Sequence, residues 1–427
     1  MRSLLLALLA LPAQAEGPTG PFPDCAPDAR DRCPNDLDWT DTSWLPDRSV
    51  TSVREAERDL GSGVSLDVAL RHTSGRWDVT VAVIDSGIDW ADRQAAGKVR
   101  ISTGEARQPQ RADGSLVADW DLDGNGIINV WDWAEDPRVD LAAGVDRADD
   151  RLDPSDLIAA FSDGVDDDGN GYPDDIAGWD FFEHDNNPYA GFQRGFWDHG
   201  TGVGKKATAW ADDGGELGAC PDCSLLPVRV GEAFVTDGDR VALALAYVGD
   251  NDVSAAALAI GALSLPDTAS EAARYAADQG VVLVGAAGDE NAWHRNVPAG
   301  DSPFLFVKSI RANGRKEDGN ATTYMATWNC NNIGPRLDLS APSDLCATGA
   351  TARIAGIAGL VKSAGRDHGS ELSAGQVRAL LRATADDINF SEADREETGV
   401  FPAKEGWDAF HGYGRVNVGT AVEAVFD

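Results

Sequence analysis

The sequence predicts an α/β domain in which a parallel sheet carries helices on both faces and is interrupted by a long insertion rich in Asp and Gly. Three observations point there. Val79-Thr-Val-Ala-Val-Ile84 and Gly280-Val-Val-Leu-Val-Gly285 are continuous apolar runs of strand length, the pattern of strands buried on both faces. Helical stretches alternate with them, Ala272 to Gln279 before the second run and Ala352 to Ala364 further on. Both runs end in polar or small residues, and binding sites in such sheets sit at the carboxyl ends of the strands.

Taken in order, Arg2, the apolar run Leu4 to Leu11 and Ala13-Gln14-Ala15 have the form of a secretory signal peptide over residues 1–15. A membrane anchor would need roughly 20 apolar residues, and no segment of the chain supplies them. Residues 16–50 are Pro- and Asp-rich and read as an irregular arm, and 51–427 as the main domain, with the insertion at about 91–198. Ser373 and Gln376 form a capping box before Val377, Leu380 and Leu381 at helical spacing. A hydrophobic content of 43% suffices for a large core. The net charge of −35 argues against binding nucleic-acid phosphates and for a soluble surface that attracts cations. The expected location is secreted or periplasmic.

Six cysteines in an exported chain point to disulfides. Nearest-neighbour pairing gives Cys25 with Cys33, Cys220 with Cys223, and Cys330 with Cys346. For Cys220-Pro-Asp-Cys223 a redox or zinc element is the other reading, but no further zinc ligands lie nearby.

Three segments carry the chemistry. Val83-Ile-Asp85-Ser-Gly puts a carboxylate at a strand end, Asp198-His199-Gly-Thr-Gly puts an imidazole beside glycines, and Thr348-Gly-Ala-Thr351 opens a helix. In that order, with Leu339-Ser-Ala-Pro342, Ala358-Gly359 and Gly412-Tyr-Gly-Arg-Val-Asn417, the chain resembles the subtilisin-like serine peptidase family from about Val79 to Val425. The resemblance implies a subtilisin-like fold acting on extended polypeptide, with Asp85 orienting the imidazole, His199 as general base and a hydroxyl as nucleophile.

The pattern also breaks. The family's Gly-Thr-Ser-Met-Ala-Ala-Pro-His has no intact counterpart, and alignment through Ala358-Gly359 places Thr351 at the serine position and Arg353 among the small apolar residues. A threonine's extra methyl restricts χ1 and crowds a site shaped for serine. Neither Ser343 nor Ser363 is placed to substitute. Where the family reads Ala-Ala-Gly-Asn, this chain reads Ala286-Ala-Gly-Asp289, exchanging an oxyanion donor for a carboxylate. Pro34-Asn-Asp36 resembles the start of a mature domain, which leaves too little chain before it for a self-processed propeptide.

Two Asp-rich loops lie in the insertion. Asp121, Asp123, Asn125, Asn129 and Asp132, with Gly126 at the turn, match EF-hand ligand spacing for Ca2+. Asp166, Asp168, Asn170 and Asp174 repeat its beginning and resemble a loop common in bacterial subtilases. Hydrated turns are the plain alternative for both. Ala259-Ile260-Gly261 stands where the family's strand lines the unprimed substrate cleft, and its main chain is expected to remain open to an extended peptide. The expected function is an exported subtilisin-like endopeptidase homologue with impaired catalysis. The competing expectations are a slow hydrolase using Thr351 and a calcium-bound peptide-binding or scaffold protein.

Overall fold

A computed structural model describes residues 18–25, 32–34, 63–145, 151–191, 198–211, 213–232, 234–301, 303–311, 326–327, 330–343, 345–388 and 405–426. The expected signal peptide, most of the arm at 16–50, and Asn35 and Asp36 lie outside them.

In chain order the strands are β1 (Thr80–Asp85), β2 (Trp179–Asp180), β3 (Ser224–Arg229), β4 (Val235–Thr236), β5 (Val253–Leu258), β6 (Gly261–Ala262), β7 (Val282–Ala286), β8 (Leu305–Arg311), β9 (Ala326–Thr327) and β10 (Leu339–Pro342). The helices are α1 (Leu66–Leu70), α2 (Arg93–Ala96), α3 (Pro154–Phe161), α4 (His199–Thr208), α5 (Gly238–Asp250), α6 (Asp267–Asp278), α7 (Cys346–Asp367), α8 (Ala374–Ala383) and α9 (Val418–Phe426). The main sheet runs β10-β8-β7-β5-β1-β3-β2, all parallel, with β9 added antiparallel to β8. β4 and β6 form a separate two-stranded pair.

Chain order reverses direction across the sheet between β1 and β5, and that switch point opens a crevice at the carboxyl ends of the strands. Successive side chains of β1 explain the two layers. Val81 and Val83 join Ala255, Val282 and Val284 beneath α7, against Ile354, Ile357 and Leu360. Ala82 and Ile84 join Leu226, Ala256 and Leu258 on the other face, against Val241 and Leu245 of α5 and Ala273 and Ala276 of α6. Asp85 follows the parity of Val83, so it faces the side on which α4 and α7 begin.

The two helices cross closely because Gly356 has no side chain: a Cβ there would lie 2.5 Å from the Ala207 carbonyl oxygen. Gly359 performs the same service against Val81, where a Cβ would meet Cγ2 at 3.0 Å. The capping box at Ser373 is formed as expected, with both reciprocal bonds to Gln376. The three cysteine pairs are bridged in the nearest-neighbour pattern. The insertion is more regular than its sequence suggested. Asp153 and Asp156 form a capping box with Pro154 at the first position of α3, and Trp179–Asp180 completes the sheet edge as β2. Short length hides both from a periodicity argument.

Candidate active site

Asp85 ends β1 fully buried, and its Oδ1 accepts the Ser86 N–H at 2.7 Å and lies 2.7 Å from His199 Nδ1. His199 is the first residue of α4, and Gly200 beside it lets the helix start approach the chain: a Cβ on Gly200 would sit 2.3 Å from the Gly87 oxygen. The imidazole is held charged more readily than usual. Burial alone would lower its pKa, but Asp85, then Asp289 and Asp198, outweigh that and raise it. Its outer nitrogen, Nε2, lies 3.2 Å from Thr348 Oγ1.

That last contact corrects the expectation for Thr351. Thr351 is fully buried in α7 and donates its hydroxyl to the Ala347 carbonyl at 2.9 Å, one turn away from His199. The helix begins at Cys346, earlier than the expected Ala352, so the residue at the cleft is three positions upstream. Aligning the family's motif through Ala355-Gly356 rather than Ala358-Gly359 would put Thr348 opposite its serine and Arg353 opposite its histidine. Arg353 is no intruder in the cleft. It is buried and donates to the Pro342 oxygen at 2.6 Å, tying α7 to the end of β10. Ser343 is spent on the turn into α7 and Ser363 donates to the Gly359 carbonyl, so neither reaches the site.

Asp289 lies where its sequence neighbours placed it, at the rim of the same cavity. Its Oδ1 accepts the N–H of Ala347, the residue before Thr348, at 2.9 Å. Burial raises its pKa and Glu290 adds to that, while the Ala347 bond and the His199 charge oppose. The cavity, about 450 Å³, is bounded by His199, Thr348, Asp289, Lys206, Phe234 and Leu345 among others.

Ala259 and Ile260 are buried, and the main chain of Gly261 is not open as expected. Gly261 donates its N–H to the Phe234 oxygen at 2.8 Å, because β6 pairs directly with β4. The Phe234 ring meets His199 edge-on, with centroids 5.0 Å apart. Sequence reasoning missed Phe234 altogether, since a lone aromatic after a buried strand carries no motif.

The two Asp-rich loops fold alike. Asp121 accepts from Gly124, Asn125 and Gly126 N–H at 2.7, 3.1 and 2.9 Å, and Asp166 from Gly169, Asn170 and Gly171 at 2.7, 3.1 and 2.8 Å. They close differently. In the first, oxygens of Asp121, Asp123 and Asp132 come within 4.8 Å of one another. Asn125 and Asn129 turn instead to the Ile127 and Trp131 N–H groups. In the second, the converging set is Glu105, Asp168 and Asp175. Asp166 and Asn170 hold the turn, and Asp174 accepts from Asp163 and Gly164 N–H, so three of the four expected ligands belong to the loop's own structure. Glu105 comes from well upstream, where no spacing rule reaches it.

The second cluster fits a hard cation. Asp175 Oδ1 is buried with no hydrogen-bond partner, while Oδ2 accepts from Tyr247 and Asn170. Burial, with Asp168 and Glu105 adding to it, pushes the Asp175 carboxyl up to about 7. Oxygen-only donors of this kind suit Ca2+.

Comparison with known proteins agrees with this architecture. The subtilase (peptidase S8) family model matches residues 77–414. Thermitase of Thermoactinomyces vulgaris is 30% identical over 257 residues, covering 58% of this chain and 81% of thermitase. The cell wall-associated protease of Bacillus subtilis is 28% identical over 53% of this chain and 26% of its own length. Among solved structures, the prenylagaramide maturation protease PagA superposes with a TM-score of 0.50 at 15% identity, over 84% of this chain and 98% of that one. Proteases from Pseudoalteromonas arctica give 0.50 at 18% identity, over 92% and 99%. The parallel sheet with its helices is the fold of a subtilisin-like serine peptidase scaffold. The chain belongs to the subtilase family of peptide-bond hydrolases, whose substrates are polypeptides.

Proposed function

We propose that this chain is an exported subtilase homologue in which hydrolysis is strongly impaired, with Asp85 and His199 kept as an oriented base and Thr348 at the nucleophile position. The observation that carries the reading is the Asp289 carboxylate bonded to the Ala347 N–H beside Thr348. Acyl transfer requires donors aimed at the oxygen that becomes negative. Here the side chain in that place is itself an acceptor. Threonine compounds the defect, because its methyl restricts the approach of the hydroxyl to a carbonyl. Three disulfides suit an oxidising compartment. Among the described residues no helix is long and apolar enough to cross a membrane.

One observation favours a slow hydrolase instead. His199 Nε2 at 3.2 Å from Thr348 Oγ1 is close enough to take the hydroxyl proton, and Asp85 would stabilise the imidazolium formed. Casein hydrolysis by the purified protein, with Thr348→Ala as control, separates the two. The impaired reading expects no difference. Turnover by the wild type that disappears in Thr348→Ala makes this a threonine-dependent peptidase.

Ca2+ belongs to the same proposal. Glu105, Asp168 and Asp175 would hold it, and it would neutralise crowded carboxylates that otherwise repel. The ion's part would be structural, tying the loop that carries Asp168 and Asp175 to Glu105 near the start of the insertion.

A further inference from the structure

Acidic residues outnumber Lys and Arg by 71 to 36 in this chain, yet one cavity is walled by guanidinium groups that no described carboxylate pairs. It holds about 270 Å³, is lined by Trp293, Arg295, Phe306, Ile333, Pro335 and Arg336 among others, and shares no lining residue with the cavity at His199. Arg336 spends its Nε on the Gly300 oxygen at 3.1 Å, and its Nη2 is buried with no hydrogen-bond partner. Arg295 is exposed and, among the described residues, makes no ion pair either. The carboxylates of this region are engaged elsewhere. Asp338 accepts from Arg382 and from the Phe306 N–H, Asp301 from Ser270, and Glu290 from Asn332 with His294 beside it. Arg378 on α8 adds to the imbalance: burial lowers its pKa, Arg382 lowers it further, Asp338 opposes and Arg336 adds to the lowering. Guanidinium groups held together without matching counter-charge form a receptor for an anion.

The rest of the wall is apolar and fixed. Trp293 is 49% exposed and meets Phe410 edge-on, with centroids 6.1 Å apart, while Phe306 is buried. Main-chain bonds pin the rim: Ile333 donates to the Ala292 oxygen at 3.0 Å and Gly334 to the Ala409 oxygen at 2.9 Å. We propose that this cavity binds a carboxylate set beside an aromatic ring, with Arg336 and Arg295 on the carboxylate and Trp293 against the ring. The ligand is a free arylalkanoate or the C-terminal aromatic residue of a polypeptide, which offer the same two groups. Arginine's planar fork matches a carboxylate bidentately. Inorganic phosphate presents no apolar face to Trp293, Ile333 and Pro335, so these walls select against it. The site is independent of whether the chain hydrolyses anything.

The test is a ligand-observed NMR titration of the full chain with four probes: 3-phenylpropionate, its neutral amide, acetyl-Gly-Gly-Phe with a free carboxylate, and inorganic phosphate. One of the two carboxylates should bind with a dissociation constant on the order of 1 mM or tighter, as a ligand of this size permits. The amide should bind at least ~10-fold more weakly, and Arg336→Gln and Arg295→Gln should each weaken the carboxylate by about that factor. Lys206→Gln, which alters the cavity at His199, should leave the affinity unchanged. Tighter binding of the peptide acid assigns a polypeptide terminus, and tighter binding of 3-phenylpropionate assigns a free acid. If Arg336→Gln lowers Tm, Arg295→Gln, on an exposed side chain, carries the comparison. No binding of either carboxylate at about 10 mM overturns the site. Equal affinity for the amide or for phosphate, or a loss caused by Lys206→Gln and not by the arginine variants, overturns it as well.

Discussion

Asp289→Asn, made in a Thr348→Ser background, should raise kcat/KM by about 10²–10³, and by a factor that grows with pH. The direction follows from two protons. Hydrolysis through the present site needs Asp289 protonated, so that its free oxygen can donate, and His199 neutral, so that it can accept. Both groups are raised here, Asp289 by burial and His199 by the Asp85 charge against its own burial, and wherever the carboxyl titrates below the imidazole the competent form, acid protonated and base free, is the minority. Attraction between the His199 cation and the Asp289 anion favours the wrong pairing still further. The size is that of one oxyanion donor, whose loss, measured in subtilisin itself, costs about 10²–10³. Asparagine removes the proton requirement. Above the Asp289 pKa, the ratio of the Asn to the Asp variant should therefore climb about tenfold per pH unit, while each variant still needs His199 deprotonated. Initial rates of casein hydrolysis between pH 6 and pH 9 give the ratio. A ratio that stays flat with pH, or no gain at any pH, refutes the assignment of Asp289 to the oxyanion position.

Thr351→Val should cost about 0.5–1.5 kcal/mol in stability by losing the bond to Ala347, yet leave the hydrolysis gained by the double variant intact; loss of that activity with unchanged Tm would return Thr351 to the site. Gly356→Leu should destabilise by roughly 1–3 kcal/mol or more, since its Cβ starts 2.5 Å from the Ala207 oxygen, and calorimetry showing an unchanged Tm would contradict the close crossing of α4 and α7. Chelation should lower Tm and expose residues 151–180 to proteolysis, and Glu105→Gln should weaken calcium binding in titration calorimetry while Asp174→Asn, which removes a turn acceptor, should not change its stoichiometry. Equal effects of chelator on the wild type and on Glu105→Gln would remove Glu105 from the metal site.

Much was legible in the one-dimensional pattern. Buried strands announce themselves as apolar runs, so β1 and β7 were placed to within two residues, and a capping box is a local bond between residues three apart, so Ser373 and Gln376 were recognised. Asp85 and His199 were readable because each sits at an element end marked by glycines that only close approach explains. Short cysteine loops favour local pairing, and the pairs followed. What the sequence could not decide was register along a helix of small residues. Ala355-Gly356 and Ala358-Gly359 are equivalent as text, and choosing the second moved the nucleophile position by nearly one turn, from Thr348 to Thr351. Only the crossing of α4 over α7 distinguishes them, because one glycine faces Ala207 and the other Val81. The approach of Glu105 to Asp168 and Asp175, the Phe234 ring against His199 and the Ala347 bond to Asp289 share that origin. Each is a contact between segments far apart in the chain, set by where the sheet's switch point brings loops together, and no local spacing encodes it.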